Sequence, residues 1–353
     1  MSDLLQKGQD FLKEKLPFVI YSKPNQKQIV GLFQNDTALN FTEDFTEKGF
    51  VFAPFDGGKF VLIPENGSEI LVENYEQISD SNTSELTDEI NFSAKENFEN
   101  LVQKGIDAIN SDEFQKVVLS RTEAVSTENN DAVFLFKRLL SNYPTAFKYC
   151  FFHPKVGLWL GATPEQLLKV NSNVIKTVAL AGTQIFKEGE ITWENKEKEE
   201  QQFVTDFIIE NLSELVSEQS NSQPYTFRAG NIVHIKTDIS AILKDKKDLK
   251  KVLNILHPTP AVCGLPKKNA KDFILKNEGY NREYYAGFLG ELNKDFAADK
   301  DDNSDLFVNL RCMKLEGKTA NLFMGCGITK DSNPEKEFFE TVNKSKTMKK
   351  ILA

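Results

Sequence analysis

The chain has 353 residues, 40% of them hydrophobic and 28 of them phenylalanine, which suffices for a large core and excludes wholesale disorder. Its formal charge is −9 with no dense Lys/Arg tract, so nucleic acid is excluded as the main partner, and any anionic ligand requires positive charge gathered locally. Cys150, Cys263, Cys312 and Cys326 lack metal-site or disulfide-scaffold spacing, Met1–Lys15 has no signal-like apolar run, and nowhere do eighteen apolar residues run together; a reduced, soluble, cytoplasmic protein without membrane contact is expected.

Along the chain, a helix is predicted from Ser2 to about Leu16, followed by short β-rich runs at Phe18–Tyr21, Phe50–Phe52 and Phe60–Ile63. The acidic stretch Asp80–Glu89 reads as a boundary or a long surface loop. Helical periodicity spans Phe92 to about Asn110, a strand opens at Lys116, and another helix covers Asn130–Ser141. Phe147–Phe152 and Gly157–Gly161 read as strands joined at His153-Pro154, and Thr163-Pro164-Glu165-Gln166 reads as a capping box that starts a helix. A long helix over Glu194–Val216 leads into a polar linker, Ser217–Pro224. Tyr285–Leu292, Leu306–Leu315 and Thr319–Met324 read as strands, Asn293–Asp305 as a solvated hairpin loop, and a last helix starts at Pro334 with Asn333 as its cap. Strands in hairpins interrupted by long helices predict an α+β fold with large antiparallel sheets. No dinucleotide or P-loop motif occurs.

Several residues could carry chemistry. Glu197 and Glu200 share a helix face, as do Glu337 and Glu340, with Lys344 one turn further on. Each pair taken alone suits an ordinary solvated helix; converging, the two would offer hard oxygen ligands to a cation such as Mg²⁺. Lys116 is either a solubilising strand-end lysine or a general base, and Glu165 either an N-terminal helix acid or a general acid whose pKa burial raises. Leu180-Ala181-Gly182-Thr183 is an ordinary turn or a backbone cradle for a carboxylate. Arg311 within an apolar strand calls for an anionic partner, and His234 alternates with apolar residues as core histidines do.

In their order, KVVLSR, GATPE, LAGT, EEQQFV, VHIKT, LHPTPAVCGLP, YYAGFLG, LRCMKL, MGCGI and NPEKEFFETVNK resemble the chorismate-binding enzymes, the family of isochorismate, salicylate, anthranilate and aminodeoxychorismate synthases. The resemblance covers roughly residues 105–353, and the first 100 residues are shorter and divergent. It implies one chorismate-utilising domain over 1–353: two antiparallel sheets packed face to face, helices flanking them, and the active site in a central cleft. Lys116 would activate water, and Glu165 would protonate the departing 4-hydroxyl of chorismate. Glu200, Glu337 and Glu340 would hold Mg²⁺, with Glu197 a weaker candidate. Ala181, Gly182, Thr183, His234, Ala261, Tyr285, Arg311, Gly325, Gly327 and Lys344 would form the substrate site.

Lys116 together with Ala181 resembles the water-using members, and Ala261 the isochorismate synthases, without pyruvate elimination. A monomer without a glutaminase subunit, feeding menaquinone or siderophore biosynthesis, is the setting the resemblance implies. Salicylate or anthranilate/aminodeoxychorismate synthesis is the alternative, and a non-catalytic chorismate-binding module a remote one. Gln201 departs from relatives that place histidine after the helix glutamate.

Overall fold

Side-chain alternation decides the layering. On the first strand Val19 and Tyr21 face one way, Phe18 and Ile20 the other, and all four are fully buried, so the strand is covered on both faces. The computed structural model describes residues 3–76, 90–127, 130–186, 188–189, 191–229 and 232–353; the acidic stretch 80–89 lies outside them.

The N-terminal part contributes α1 (Asp3–Glu14), β1 (Phe18–Ser22), β2 (Gln28–Gln34), β3 (Asn40–Thr42), β4 (Gly49–Ala53), β5 (Phe60–Pro64) and β6 (Ser68–Asn74). Then follow α2 (Phe92–Asn110), β7 (Lys116–Ser126), α3 (Ala132–Asn142), β8 (Phe147–His153), β9 (Gly157–Thr163), β10 (Gln166–Asn171), β11 (Val174–Ile185) and α4 (Asn195–Leu212). Next come β12 (Val216–Asn221), β13 (Tyr225–Ala229), β14 (Ile232–Leu243), α5 (Leu249–Leu256), β15 (Gly264–Leu265) and α6 (Lys267–Asn277). The chain closes with β16 (Phe288–Leu292), β17 (Lys294–Asp295), β18 (Lys300–Asp301), β19 (Asn303–Val308), β20 (Cys312–Glu316), β21 (Thr319–Ile328) and α7 (Pro334–Leu352).

A nine-stranded sheet runs β15-β7-β21-β20-β9-β8-β1-β2-β6, and a ten-stranded sheet runs β12-β14-β11-β10-β19-β16-β4-β5-β3, with β13 also paired to β14. The pairings between described strands are antiparallel. Aromatic rings join the facing sheets: Phe52 stacks on Phe151 at 4.4 Å between centroids, and Phe147 on Phe307 at 4.4 Å. On the other face of the nine-stranded sheet, α1, α3 and the end of α7 cover a second apolar cluster that includes Leu4, Phe136 and Met348. The α+β architecture of face-packed antiparallel sheets is therefore present.

Four expectations are corrected. Thr163 starts no helix: its hydroxyl donates to Val308 O at 2.6 Å, and Gln166–Asn171 is a strand between β11 and β19. The linker Ser217–Pro224 is largely β12, an edge strand on β14. Leu306–Leu315 is two strands in different sheets, joined where Asn309, fully buried, accepts from Tyr149 Oη at 2.7 Å and donates to Tyr284 O at 2.9 Å. Arg311 follows at φ +46°, in the connection rather than in a strand. The segment 293–305 is only partly a loop, since β17 and β18 form a ribbon and Asp305 is buried in β19.

Candidate active site

Lys116 opens β7, two residues along the backbone from a brace. Arg282 donates to Val118 O at 2.7 Å and to Val262 O at 3.0 Å, while Glu278, paired with Arg282, accepts from Ser120 N at 2.7 Å. The strand end and the loop before β15 are thus held together. Lys116 reaches past Gly327, where a Cβ would stand 3.2 Å from its Cε, and its ammonium pairs with Glu200 of α4. Glycine at 327 leaves room for the lysine.

Glu165 sits in the turn between β9 and β10, its carbonyl accepting from Val308 N at 2.9 Å. Burial pushes its carboxyl up to about 7, against the opposing pull of Lys116 and Lys344. Those two lysines and Glu165 therefore share one electrostatic neighbourhood.

Gly182 bulges out of β11 at φ +67°, and a Cβ there would meet Glu197 Cβ at 3.0 Å. The glycine lets α4 approach the sheet closely and brings Glu197 and Glu200 inward. His234 on β14 donates from Nδ1 to Gly182 O at 3.1 Å, and burial lowers its pKa, so the ring is neutral at pH 7. Ala181 packs into the core, and Thr183 pairs through its backbone with His234. Gln201 is a structural peg: buried, it donates to Thr205 Oγ1 at 2.8 Å and Thr237 Oγ1 at 2.7 Å, tying α4 to β14.

Helix α7 supplies the other wall. Asn333 caps it by accepting from Lys336 N, as expected. Lys344 donates to Gly325 O at 2.8 Å and to Glu340 at 2.6 Å. Arg311 donates to Lys344 O and Thr347 Oγ1, each at 3.2 Å; among the described residues no carboxylate salt-bridges it, although the Glu340 charge lies within electrostatic range. Tyr285 stacks on Phe323, and its hydroxyl lies 2.9 Å from where a Cβ on Gly325 would stand. Burial raises the pKa of Glu337, with the Glu340 charge adding to the effect.

Contacts and shared electrostatics thus link Lys116, Glu165, Glu200, Gly182, His234, Tyr285, Arg311, Gly325, Gly327, Glu340 and Lys344 into one neighbourhood. It does not bring the glutamates into a ready cluster: among the described residues no three His, Cys, Asp or Glu side chains stand close enough to hold a metal ion. Glu200 and Glu340 are each engaged by a lysine. The donor set nevertheless suits a hard cation, being all carboxylate, and Glu197 Oε2 is buried with no hydrogen-bond partner.

Ala261 and Glu165 line a small cavity of about 20 Å³, room for one water-sized group, with Gln166, Thr177, Thr259 and the apolar face of α4. Sequence reasoning missed Thr259, and also the Arg282–Glu278 brace. The Thr sits between two prolines in LHPTPAVCG, a signal of a rigid loop but not of a direction for the hydroxyl. All four cysteines are unpaired and buried, and no described helix is long and apolar enough to cross a membrane.

A family model described as chorismate binding enzyme matches residues 63–353. The salicylate biosynthesis isochorismate synthase of Pseudomonas aeruginosa is 31% identical over 265 residues, 71% of this chain and 54% of that protein. The isochorismate synthase EntC of Escherichia coli K12 is 29% identical over 262 residues, 71% of this chain and 66% of that protein. The chain therefore aligns with 54–66% of the length of these two relatives. Among solved structures, DhbC of Bacillus anthracis, described as a 2,3-dihydroxybenzoate-specific isochorismate synthase, superposes with a TM-score of 0.79 at 22% identity over 99% of both chains. At that identity the likeness establishes the fold.

Proposed function

This chain belongs to the chorismate-binding enzyme family, and from that premise we propose that it is an isochorismate synthase, isomerising chorismate to isochorismate. The observation that carries the reading is the placing of Lys116 and Glu165 in one electrostatic neighbourhood, with the carboxyl pushed up to about 7 and so able to carry a proton near neutrality.

Neutral Lys116 takes a proton from water as the oxygen attacks C2 of the ring. The ring double bonds shift, the C4–O bond breaks, and the proton of Glu165 goes to the departing oxygen, which leaves as water. One water enters and one leaves; the lysine ends protonated and the glutamate ionised, and exchange with solvent resets both. Arg311, Lys344 and the backbone at Gly182 would hold the two substrate carboxylates, and neutral His234 would line the ring without adding charge.

Glu200, Glu337 and Glu340, with Glu197 behind them, would hold Mg²⁺, which when bound would neutralise the ring carboxylate and fix the ring's orientation. The use of water rather than ammonia, the absence of a glutaminase partner and a monomeric state belong to the same proposal.

Chromatography of chorismate incubations tests it. The native protein should yield isochorismate with Mg²⁺ and without ammonium, releasing no pyruvate. Lys116→Ala and Glu165→Gln should each lose roughly 10²–10⁴-fold in kcat. Unchanged turnover in either variant removes the acid–base assignment, and pyruvate appearing with turnover points instead to salicylate or anthranilate synthesis.

A further inference from the structure

The loop between α5 and β15 presents one polar group with nothing to bind. Thr259 O accepts from Val262 N at 3.1 Å and Cys263 N at 3.0 Å, and Arg282 fixes Val262 from the far side. The backbone is therefore committed, yet the Thr259 hydroxyl is buried without a hydrogen-bond partner, an arrangement that is uncommon unless a ligand or water completes it. Thr259 lines the cavity that contains Glu165.

The other polar side chains of that cavity are already used. Gln166 Nε2 donates to Asp305 at 2.7 Å, and Thr177 Oγ1 donates to Leu167 O at 2.7 Å. The remaining lining is mainly apolar, including Val178, Leu180, Val204, Ile208 and Leu256. An oxygen protonated by Glu165 must come within about 2.6–3.2 Å of that carboxyl. The uncommitted hydroxyl lining the same cavity as that carboxyl belongs to Thr259.

We infer that Thr259 is a substrate-contacting residue on the leaving-group side of the site, its hydroxyl hydrogen-bonding the ring hydroxyl that departs. The inference rests on the isochorismate synthase reading and deepens it. Glu165 supplies the proton; Thr259 supplies a neutral hydrogen bond that orients the hydroxyl toward Glu165 and stays with the oxygen as the C–O bond breaks. Thr259 gains and loses no proton over the step. A site with a polar group placed for one hydroxyl discriminates against ligands lacking it, because the group is then left unpaired.

The test compares chorismate with an analogue lacking the ring hydroxyl, in the native protein, Thr259→Val and Thr259→Ser. Thr259→Val, nearly isosteric, should lower kcat/KM for chorismate roughly tenfold while leaving the inhibition constant of the analogue unchanged; Thr259→Ser should restore most of the loss. Equal weakening for both ligands, or no loss for chorismate, overturns the inference while native turnover leaves the functional reading standing. An acid-to-alkaline limb displaced in Thr259→Val would place the hydroxyl on Glu165 instead and also overturn it. If the native protein binds chorismate without converting it, the functional reading falls, and the same comparison is made on dissociation constants. Binding of neither ligand removes both.

Discussion

A carboxyl held at about 7 within a partly buried site weakens the fold whenever it ionises. Glu165 has a folded pKa above its unfolded one, so its stability contribution is present below about 4.5 and is lost as pH rises through about 7. Glu165→Gln is neutral throughout and should be more stable than the native protein at pH 8, by about 2 kcal/mol after allowance for partial exposure, and no more stable at pH 4. Glu291, also pushed up to about 7 by burial, titrates alike in both proteins and cancels in the difference. Urea titrations at the two pH values read this directly; a stability gap that does not grow with pH would contradict the buried-acid assignment. The same protonation predicts that turnover declines as pH rises beyond about 7.

At the scale of elements, what was legible in the sequence followed local rules. Helices α2 and α7 begin where Asn91 and Asn333 accept capping hydrogen bonds; the span of α2 was readable from periodicity and the start of α7 from its Asn-Pro cap. The misreadings arose where tertiary contacts override such rules. Thr-Pro-Glu-Gln satisfies an N-terminal helix signature, yet pairing with β11 and β19 makes the following residues a strand. The apolar run 306–315 gave no sign of the left-handed backbone at Arg311 that carries the chain between sheets. For the site, each acidic pair was visible, but the Lys116–Glu200 ion pair joins residues 84 apart in sequence, and the hydroxyl of Thr259 acquires meaning only beside Glu165.

The packing of α4 against β11 gives an element-scale prediction. Gly182→Ala places a Cβ at φ +67° and 3.0 Å from Glu197 Cβ, so it should destabilise by about 1–3 kcal/mol and push the helix outward. Because Glu200 rides on that helix, turnover should fall by more than the stability loss explains under conditions where the variant is still folded. Denaturant melts paired with kinetics separate the two effects, and native-like kcat in a destabilised Gly182→Ala would show that helix position is not what matters.

For the whole molecule, the divergent N-terminal part is where sequence similarity and architecture diverge. The alignments to curated relatives cover 71% of the chain, whereas the fold likeness covers 99%. The N-terminal strands explain the difference physically. β1, β2 and β6 extend the nine-stranded sheet beyond β8, and β4, β5 and β3 extend the ten-stranded sheet beyond β16. Their inward side chains, among them Tyr21, Phe50 and Phe52, fill the space between the sheets, where Tyr21 donates to Glu291 at 2.5 Å and Lys23 pairs with the same carboxylate. Removing residues 1–76 would expose the edges of β8 and β16 and strip Glu291 of both Tyr21 and Lys23. Such a fragment, although it retains every proposed site residue, should not give a cooperative unfolding transition and should bind no chorismate. Circular dichroism melts and equilibrium binding on the fragment check this; a folded, chorismate-binding fragment would make the N-terminal strands an accessory layer rather than half of the architecture that holds the cleft.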